Sequence, residues 1–472
     1  MLFVSQQFLE LFLPAAIVAF YVLYFVRPLL GIAALLSASV IFCASNGIWQ
    51  SAVLICSVLF NFAAGAALTS IPGHRNMSRK MLLAGSIAVN LLALGFFKYT
   101  KFIISNLNLG FALQVPDPQI PLPIGVSFYT FTQIAFLADV YAGRGPTRAT
   151  LFNYALFVTW FPHVVAGPII HWREMMPQFE KLGQPSGAVL RSPIHRENIC
   201  RAMSLFGIGI AKKIFIADQL APFVAKGYDA AGTLGFLDAW LLSLSYSFQL
   251  YFDFSGYSDM AIAMSLFFGV MLPYNFNSPY RATSIQDFWH RWHMTLSRWL
   301  KDYLFIPIGG SRGSLPVTLR NLFVTFLVGG IWHGAAWTFA LWGMLHGLAC
   351  CAHRLWIKTG IRMPAIVAVA ITFLFVNATW VFFRAPDLGT ALYVLTAMAA
   401  PNGRGGVLPG FLWGILAFVG ILIWAAPASQ RLALQTRAGA HPFAALLAGA
   451  AVLIAFVAQN ASAPSPFLYF NF

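Results

Sequence analysis

AIVAVAITFLFVNATWVFF, Ala365 to Phe383, runs for nineteen residues without a charged side chain. At 1.5 Å per residue a helix of that length covers about 28 Å, close to the hydrocarbon thickness of a bilayer. A backbone in lipid must satisfy its own N–H and C=O groups, so the stretch reads as a transmembrane helix. Comparable runs recur at Phe8 to Val26, Ala52 to Ile71, Met81 to Phe97, Phe236 to Phe252, Phe411 to Ala426 and Phe443 to Val457. Shorter or more polar runs lie between them, at Leu29 to Ala44, Pro123 to Val140, Leu205 to Ala217 and Val317 to Gly347. Together they predict an all-α polytopic membrane protein with about 11 to 13 transmembrane or re-entrant helices.

The 472 residues are 59% hydrophobic and 9% charged, whereas a soluble domain carries about 25% charge. Water is therefore not the main solvent. No basic residue precedes the first run and Glu10 sits near its start, so it reads as a retained helix rather than a cleaved signal. Arg27 follows that run, and Arg75, Arg79 and Lys80 crowd the loop after the third. The positive-inside rule makes both loops cytoplasmic and puts the N-terminus outside, with Lys98 and Lys101 on the outer side. The net charge of +15 is spread over many loops, a pattern for anionic headgroups and topology rather than nucleic acid. The five cysteines show no metal-ligand spacing and read as packing residues.

Residues 1–472 form one membrane domain by this reading, with N-terminal helices to residue 120, a motif-rich core over 121–351 and C-terminal helices beyond. The stretch His171 to Arg201, with three prolines, predicts a surface loop with short interfacial helices. Polar residues inside otherwise apolar segments concentrate in the core, and in lipid they are costly unless they face a cavity or perform chemistry.

The core holds two informative stretches. SIQDFWHRWHMTLSRWLKDY, Ser284 to Tyr303, opens with a capping pattern of Ser284 and Asp287. On a helical wheel its tryptophans gather on one face, with Asp287, Arg291, Arg298 and Lys301 opposite, which predicts one amphipathic helix in an interface or across a pocket mouth. His293 falls at the apolar border and His290 further onto the polar side, so His293 is the better candidate for a partly buried site. GGIWHGAAWTFALWGMLHG, Gly329 to Gly347, places His333 among small and aromatic residues with no accompanying charge. A neutral imidazole in a dry pocket suits proton abstraction from a hydroxyl, and equally a hydrogen bond between helices. Gly329, Gly330 and Gly334 predict close approach of backbone or a thin ligand, and the N–H groups of Gly329 and Gly330 are candidate oxyanion donors. His346, about 220° round the same helix from His333, reads as structural. YFDFSGYSDM, Tyr251 to Met260, predicts a hydrogen-bonded helix break beside a polar cavity, with a cation site or a serine nucleophile as the alternatives.

PIGVSFYTF (Pro123 to Phe131), WFPHVVAGPI (Trp160 to Ile169), YFDFSGYSDMAI (Tyr251 to Ile262), LPYNFNSPY (Leu272 to Tyr280), DFWHRWHMTLSRWLKDYLFIPIGG (Asp287 to Gly310), GGIWHGAAWTF (Gly329 to Phe339) and VFFRA (Val381 to Ala385) occur in this order. The set resembles the membrane-bound O-acyltransferase family, in its bacterial alginate O-acetylation branch, over nearly the whole chain. The closing FLYFNF is similar to that branch too.

That resemblance implies helices around a central tunnel joining a cytoplasmic donor entrance to an external acceptor pocket, in the bacterial cytoplasmic (inner) membrane. It implies His333 as the essential residue and His293 as its companion. The donor would be acetyl-CoA, used as substrate with no permanently bound cofactor or metal, and its phosphates would meet Arg298, Lys301 and Arg312. The acceptor would be an extracellular polysaccharide, served by a separate periplasmic or extracellular acetyltransferase or esterase-like partner protein. Pro116 to Pro123 and Pro273 to Tyr280 are candidate docking stretches for it. D-alanyl transfer to teichoic acid from a carrier protein, and polysaccharide transport, are the competing readings.

Overall fold

In the computed structural model the described residues are 3–45, 47–71, 77–146, 149–400, 406–434, 449, 467 and 468. All regular elements among them are helical. Five helices are long and apolar enough to cross a bilayer, Gln7–Val26, Ile48–Ser70, Met77–Phe111, Leu315–His333 and Ala365–Arg384, and Pro28–Ala44, Leu388–Ala399 and Leu412–Ala425 are shorter apolar helices. Leu92 and Ile366 expose their side chains on such helices, as expected where the solvent is lipid. The run Phe443 to Val457 lies outside the described residues, apart from Gly449.

Two compact units emerge. One comprises Met1–Gly207, Ser258–Pro273 and Thr436–Ala450; the other comprises Ile208–Tyr257, Tyr274–Gln435 and Ala451–Phe472. In the first, Asn61 and Asn90 exchange amide hydrogen bonds of 3.0 and 2.7 Å, tying Ile48–Ser70 to Met77–Phe111. Such a polar pair glues helices where apolar contact alone gives no preference over lipid. Arg79 is buried and donates to the Leu68 and Val140 carbonyls, so it braces helix ends as well as marking topology. Met77–Phe111 continues unbroken for 35 residues, about 52 Å, and therefore carries Lys98 and Lys101 along a single helix.

Within the stretch expected as a surface loop, Trp172–Leu182 is a short amphipathic helix that buries Trp172, Met175, Met176, Phe179 and Leu182. The loop ends sooner than expected, because Arg201 belongs to the helix Pro193–Ala211.

The second unit contains every residue weighed as catalytic or donor-binding. Phe236–Phe267 is one continuous helix contributing to both units, so the break expected at Tyr251 to Met260 is absent. Asp253 is accommodated instead by Lys213, whose Nζ lies 2.6 Å from Asp253 and 2.8 Å from Asp218. A buried carboxylate is tolerable in a helix once its charge is paired.

Candidate active site

Ile285–Trp289 and Met294–Leu300 are separate helices, which corrects the expectation of one amphipathic helix from Ser284 to Tyr303. The capping pattern holds: Ser284 Oγ accepts the Asp287 N–H at 3.0 Å, and Asp287 accepts the Thr283 N–H at 3.1 Å. The break comes from a distant segment. The Asn275 carbonyl accepts the Met294 N–H, the Asn277 N–H donates to the Arg291 carbonyl, and Asn275 Oδ1 accepts both the N–H and the hydroxyl of Thr295. His293 sits at the break with φ of +42°, left-handed backbone that a non-glycine residue keeps only when its surroundings hold it.

This turn drives His293 fully inside, at 0% exposure, while His290 stays exposed. The His293 ring meets Phe254 edge-on at 4.8 Å between centroids, and its Nδ1 lies 3.0 Å from Asn275 Oδ1. Since that oxygen only accepts, Nδ1 carries the proton and Nε2 is the basic nitrogen of the neutral ring. Asn275, within a stretch noted only for its resemblance, is the positioning residue that sequence reasoning did not single out.

His333 is the last residue of Leu315–His333, and 4% of it is exposed. Trp332 and Trp342 at 5.0 Å and Phe383 at 5.2 Å surround its ring. The next helix, Trp337–Thr359, begins after a three-residue link and packs antiparallel, with Gly330 against Gly343. A Cβ on Gly330 would stand 2.7 Å from the Gly343 Cα, and one on Gly343 would stand 2.5 Å from the Phe326 carbonyl oxygen. At these positions the glycines admit backbone rather than ligand. Gly329 and Gly330 lie inside the helix, where their N–H groups bond the carbonyls four residues back, so neither can serve as an oxyanion donor.

The link also separates His346 from His333 onto another helix, so the angle between them on one wheel does not apply. His346 is nonetheless structural. Trp289 Nε1 donates to its Nδ1 at 3.3 Å, and its Nε2 lies 3.1 Å from Thr379 Oγ1. Trp342 contacts both histidines, at 5.0 and 4.7 Å. A run of rings leads from His333 through Trp342 and Trp380 to Trp292, beside His293, in steps of 5.0, 5.7 and 4.9 Å. The two candidate bases, both buried, are thus linked by one continuous run of aromatic contacts.

Arg298 is half-buried near the end of Met294–Leu300, and Lys301 and Arg312 are exposed. Arg312 and Arg320 flank the start of the His333 helix, and Arg354, Lys358 and Arg362 cluster at the far end of its antiparallel neighbour. One end of this helix pair is therefore basic. His333 occupies the other. At the chain's end, Phe467 stacks on Tyr257 at 4.4 Å and the Leu468 N–H donates to Asp253 Oδ2 at 2.9 Å; the rest of FLYFNF lies outside the described residues.

Residues 144–385 match the membrane-bound O-acyltransferase family, a span containing both histidines. The chain belongs to the membrane-bound O-acyltransferase family. It is thus a multi-pass membrane enzyme that transfers acyl groups to oxygen. It is 42% identical to the peptidoglycan O-acetyltransferase of Helicobacter pylori over 433 residues, 85% of this chain and 80% of that one. It is 40% identical to the probable alginate O-acetylase AlgI of Azotobacter vinelandii, over 84% of this chain and 78% of that one. Similarity to the teichoic acid D-alanyltransferase of Bacillus subtilis is weaker, 26% over 63% of this chain and 80% of the relative.

Proposed function

We propose that this enzyme takes acetyl from cytoplasmic acetyl-CoA and passes it outward through the bacterial inner membrane for O-acetylation of a polysaccharide. The observation that carries the reading is His333, enclosed by aromatic rings at the end of an apolar helix whose other end is basic. By the positive-inside rule the basic end is cytoplasmic, so the donor's phosphates meet Arg312 at that end, with Arg298 and Lys301, beside Leu300 and Gly329, further along the way to His333 in the outer half.

His333 accepts the proton of the acceptor hydroxyl as its oxygen attacks the thioester carbonyl; the departing thiolate then receives that proton. His293, through Nε2, positions the hydroxyl or shares the proton. The acceptor hydroxyl belongs to the polymer or to a serine of an outward-facing partner protein. The two acetylating relatives support acetyl over D-alanyl transfer, since their likeness extends over more of the chain at higher identity.

Sealed inside-out vesicles given labelled acetyl-CoA should take the label into acceptor. Failure with acetyl-CoA, together with donation from an aminoacylated carrier protein, would select the D-alanyl reading.

A further inference from the structure

Asp253 and Phe254 are neighbours on the helix Phe236–Phe267 and leave it about 100° apart. Phe254 is fully buried and meets the His293 ring edge-on at 4.8 Å. Asp253 turns elsewhere, with Lys213 on Oδ1 at 2.6 Å and the Leu468 N–H on Oδ2 at 2.9 Å. Lys213 shares its charge with Asp218, 2.8 Å away, so the second oxygen of the buried carboxylate needs a donor of its own. A backbone N–H from a distant part of the chain supplies it.

Phe467 is carried in beside that donor. Its ring is 3% exposed, lies 5.5 Å from Phe254 and stacks on Tyr257 at 4.4 Å with 21° between the planes. Phe254 and Tyr257 are three residues apart, hence neighbours on one face of their helix, and Phe467 packs across both. Asn275 fixes the Nδ1 edge of His293, yet a hydrogen bond at one nitrogen leaves the plane of the ring free to tilt about it. The Phe254 ring restrains that tilt only while its own rotamer is fixed. Close packing on Phe276 at 4.9 Å and on Phe467 fixes it.

We propose that Phe467 is a positioning residue for acyl transfer: anchored through the Leu468 N–H on Asp253, it backs Phe254 and thereby holds the His293 ring at the angle from which Nε2 meets the acceptor hydroxyl. All of these residues belong to one compact unit. The inference rests on the reading of His293 as the companion of His333. Phe467 touches neither substrate in this arrangement, so its loss acts on kcat and leaves the KM for acetyl-CoA, set at the basic end, in place.

The test uses the full chain in lipid nanodiscs and two independent readouts, turnover and the rate at which diethyl pyrocarbonate modifies His293. A tryptic cut after Arg291 separates His293 from the exposed His290, which serves as the internal reference. Phe467→Ala should lower kcat by about 10-fold, less than the loss of a positioned base, with KM within about 2-fold of wild type. It should also speed modification of His293 relative to His290. Phe467→Leu, which keeps the site filled, should show both effects more weakly and serves if the alanine variant folds poorly. Leu468→Pro, which removes the N–H, should match Phe467→Ala, and Leu468→Ala, which keeps it, should retain most of the turnover. In a His293→Ala background Phe467→Ala should cost less than about 2-fold, since a residue acting through another adds little once that other is gone. A full 10-fold loss in that background would overturn the proposal, as would an unchanged rate of His293 modification in Phe467→Ala. Wild-type turnover in His293→Ala alone would fell the reading of His293 and the positioning role with it, while faster modification in Phe467→Ala would still leave the packing contact standing.

Discussion

Asn275 Oδ1 lies 3.0 Å from His293 Nδ1 and receives two further donors from Thr295. Three donors on one oxygen fix which way the amide points, and the amide in turn fixes the tautomer of the histidine. The same side chain holds the left-handed turn. Asn275→Ala should therefore lower transfer per folded protein by about 100-fold, the smaller end of what a positioned base contributes. Asn275→Asp, which keeps the acceptor, should retain more. Wild-type turnover in the alanine variant would detach Asn275 from the chemistry.

His333→Ala should abolish acetyl transfer while the protein still inserts and elutes as a single species. Its ring contributes aromatic contacts, and alanine leaves a cavity at a helix end rather than an unpaired charge. His293→Ala should cause a large but incomplete loss, because a residue that positions or shares a proton contributes less than the base itself. Collapse of expression along with activity in the His333 variant would favour a purely structural histidine.

What could be read from the chain depended on how far apart the deciding residues stand. Ala365 to Phe383 declares itself because its helix needs only its own apolar residues. The Ser284 cap was legible because cap and donor are three residues apart. The break at His293 was not, since its cause is Asn275, eighteen residues earlier. Likewise nothing near Asp253 announces Lys213, forty residues before it, and without that partner a helix break looked like the natural home for a carboxylate. His333 stood out through its own neighbours, whereas Phe467 meets Phe254 from a distant part of the chain and shares no pattern with it.

Gly343→Leu should destabilise the helix pair beneath His333. The new side chain would enter where a Cβ already stands 2.5 Å from the Phe326 carbonyl oxygen, and backbone cannot swing aside as a flexible side chain can. Overpacking of this kind costs about 1 to 3 kcal/mol, so the thermal midpoint in detergent should fall. Gly85→Ala, at a helical position with open space around it, is the control. An unchanged midpoint for Gly343→Leu would mean that the two helices are not in register at Gly330 and Gly343.

Replacing Arg298, Lys301 and Arg312 singly by Gln should raise the KM for acetyl-CoA by about 2- to 5-fold each, with kcat little changed. Lys301 and Arg312 are exposed, and single exposed charges contribute about 0.2 to 1 kcal/mol. Added salt should reduce the effect, because screening acts on the same attraction. A KM indifferent both to substitution and to salt would return these cations to the lipid headgroups.

Activity on polymer should require a second, outward-facing protein. Among the described residues no polar stretch between helices reaches the roughly 50 residues that an independent domain needs, which favours a scheme in which a long polysaccharide is gripped by another protein while this chain handles one acceptor hydroxyl at a time. Of the two stretches read as docking surface, Pro273 to Tyr280 is not open surface: Asn275, Phe276, Pro279 and Tyr280 are buried, and the segment clamps the His293 turn instead. In Pro116 to Pro123, Pro116, Pro118, Gln119 and Pro121 are exposed, and Asp117 pairs with Lys101 at 3.0 Å. Purified protein in lipid should hydrolyse acetyl-CoA slowly or acetylate a short acceptor, and label long polysaccharide only after the partner is added. Replacing Pro116 to Pro123 by a flexible linker of equal length should weaken that dependence on the partner without altering turnover on the short acceptor. Full-rate acetylation of long polymer by the purified chain alone would refute the two-component scheme, and the acceptor opening would then have to admit the polymer directly.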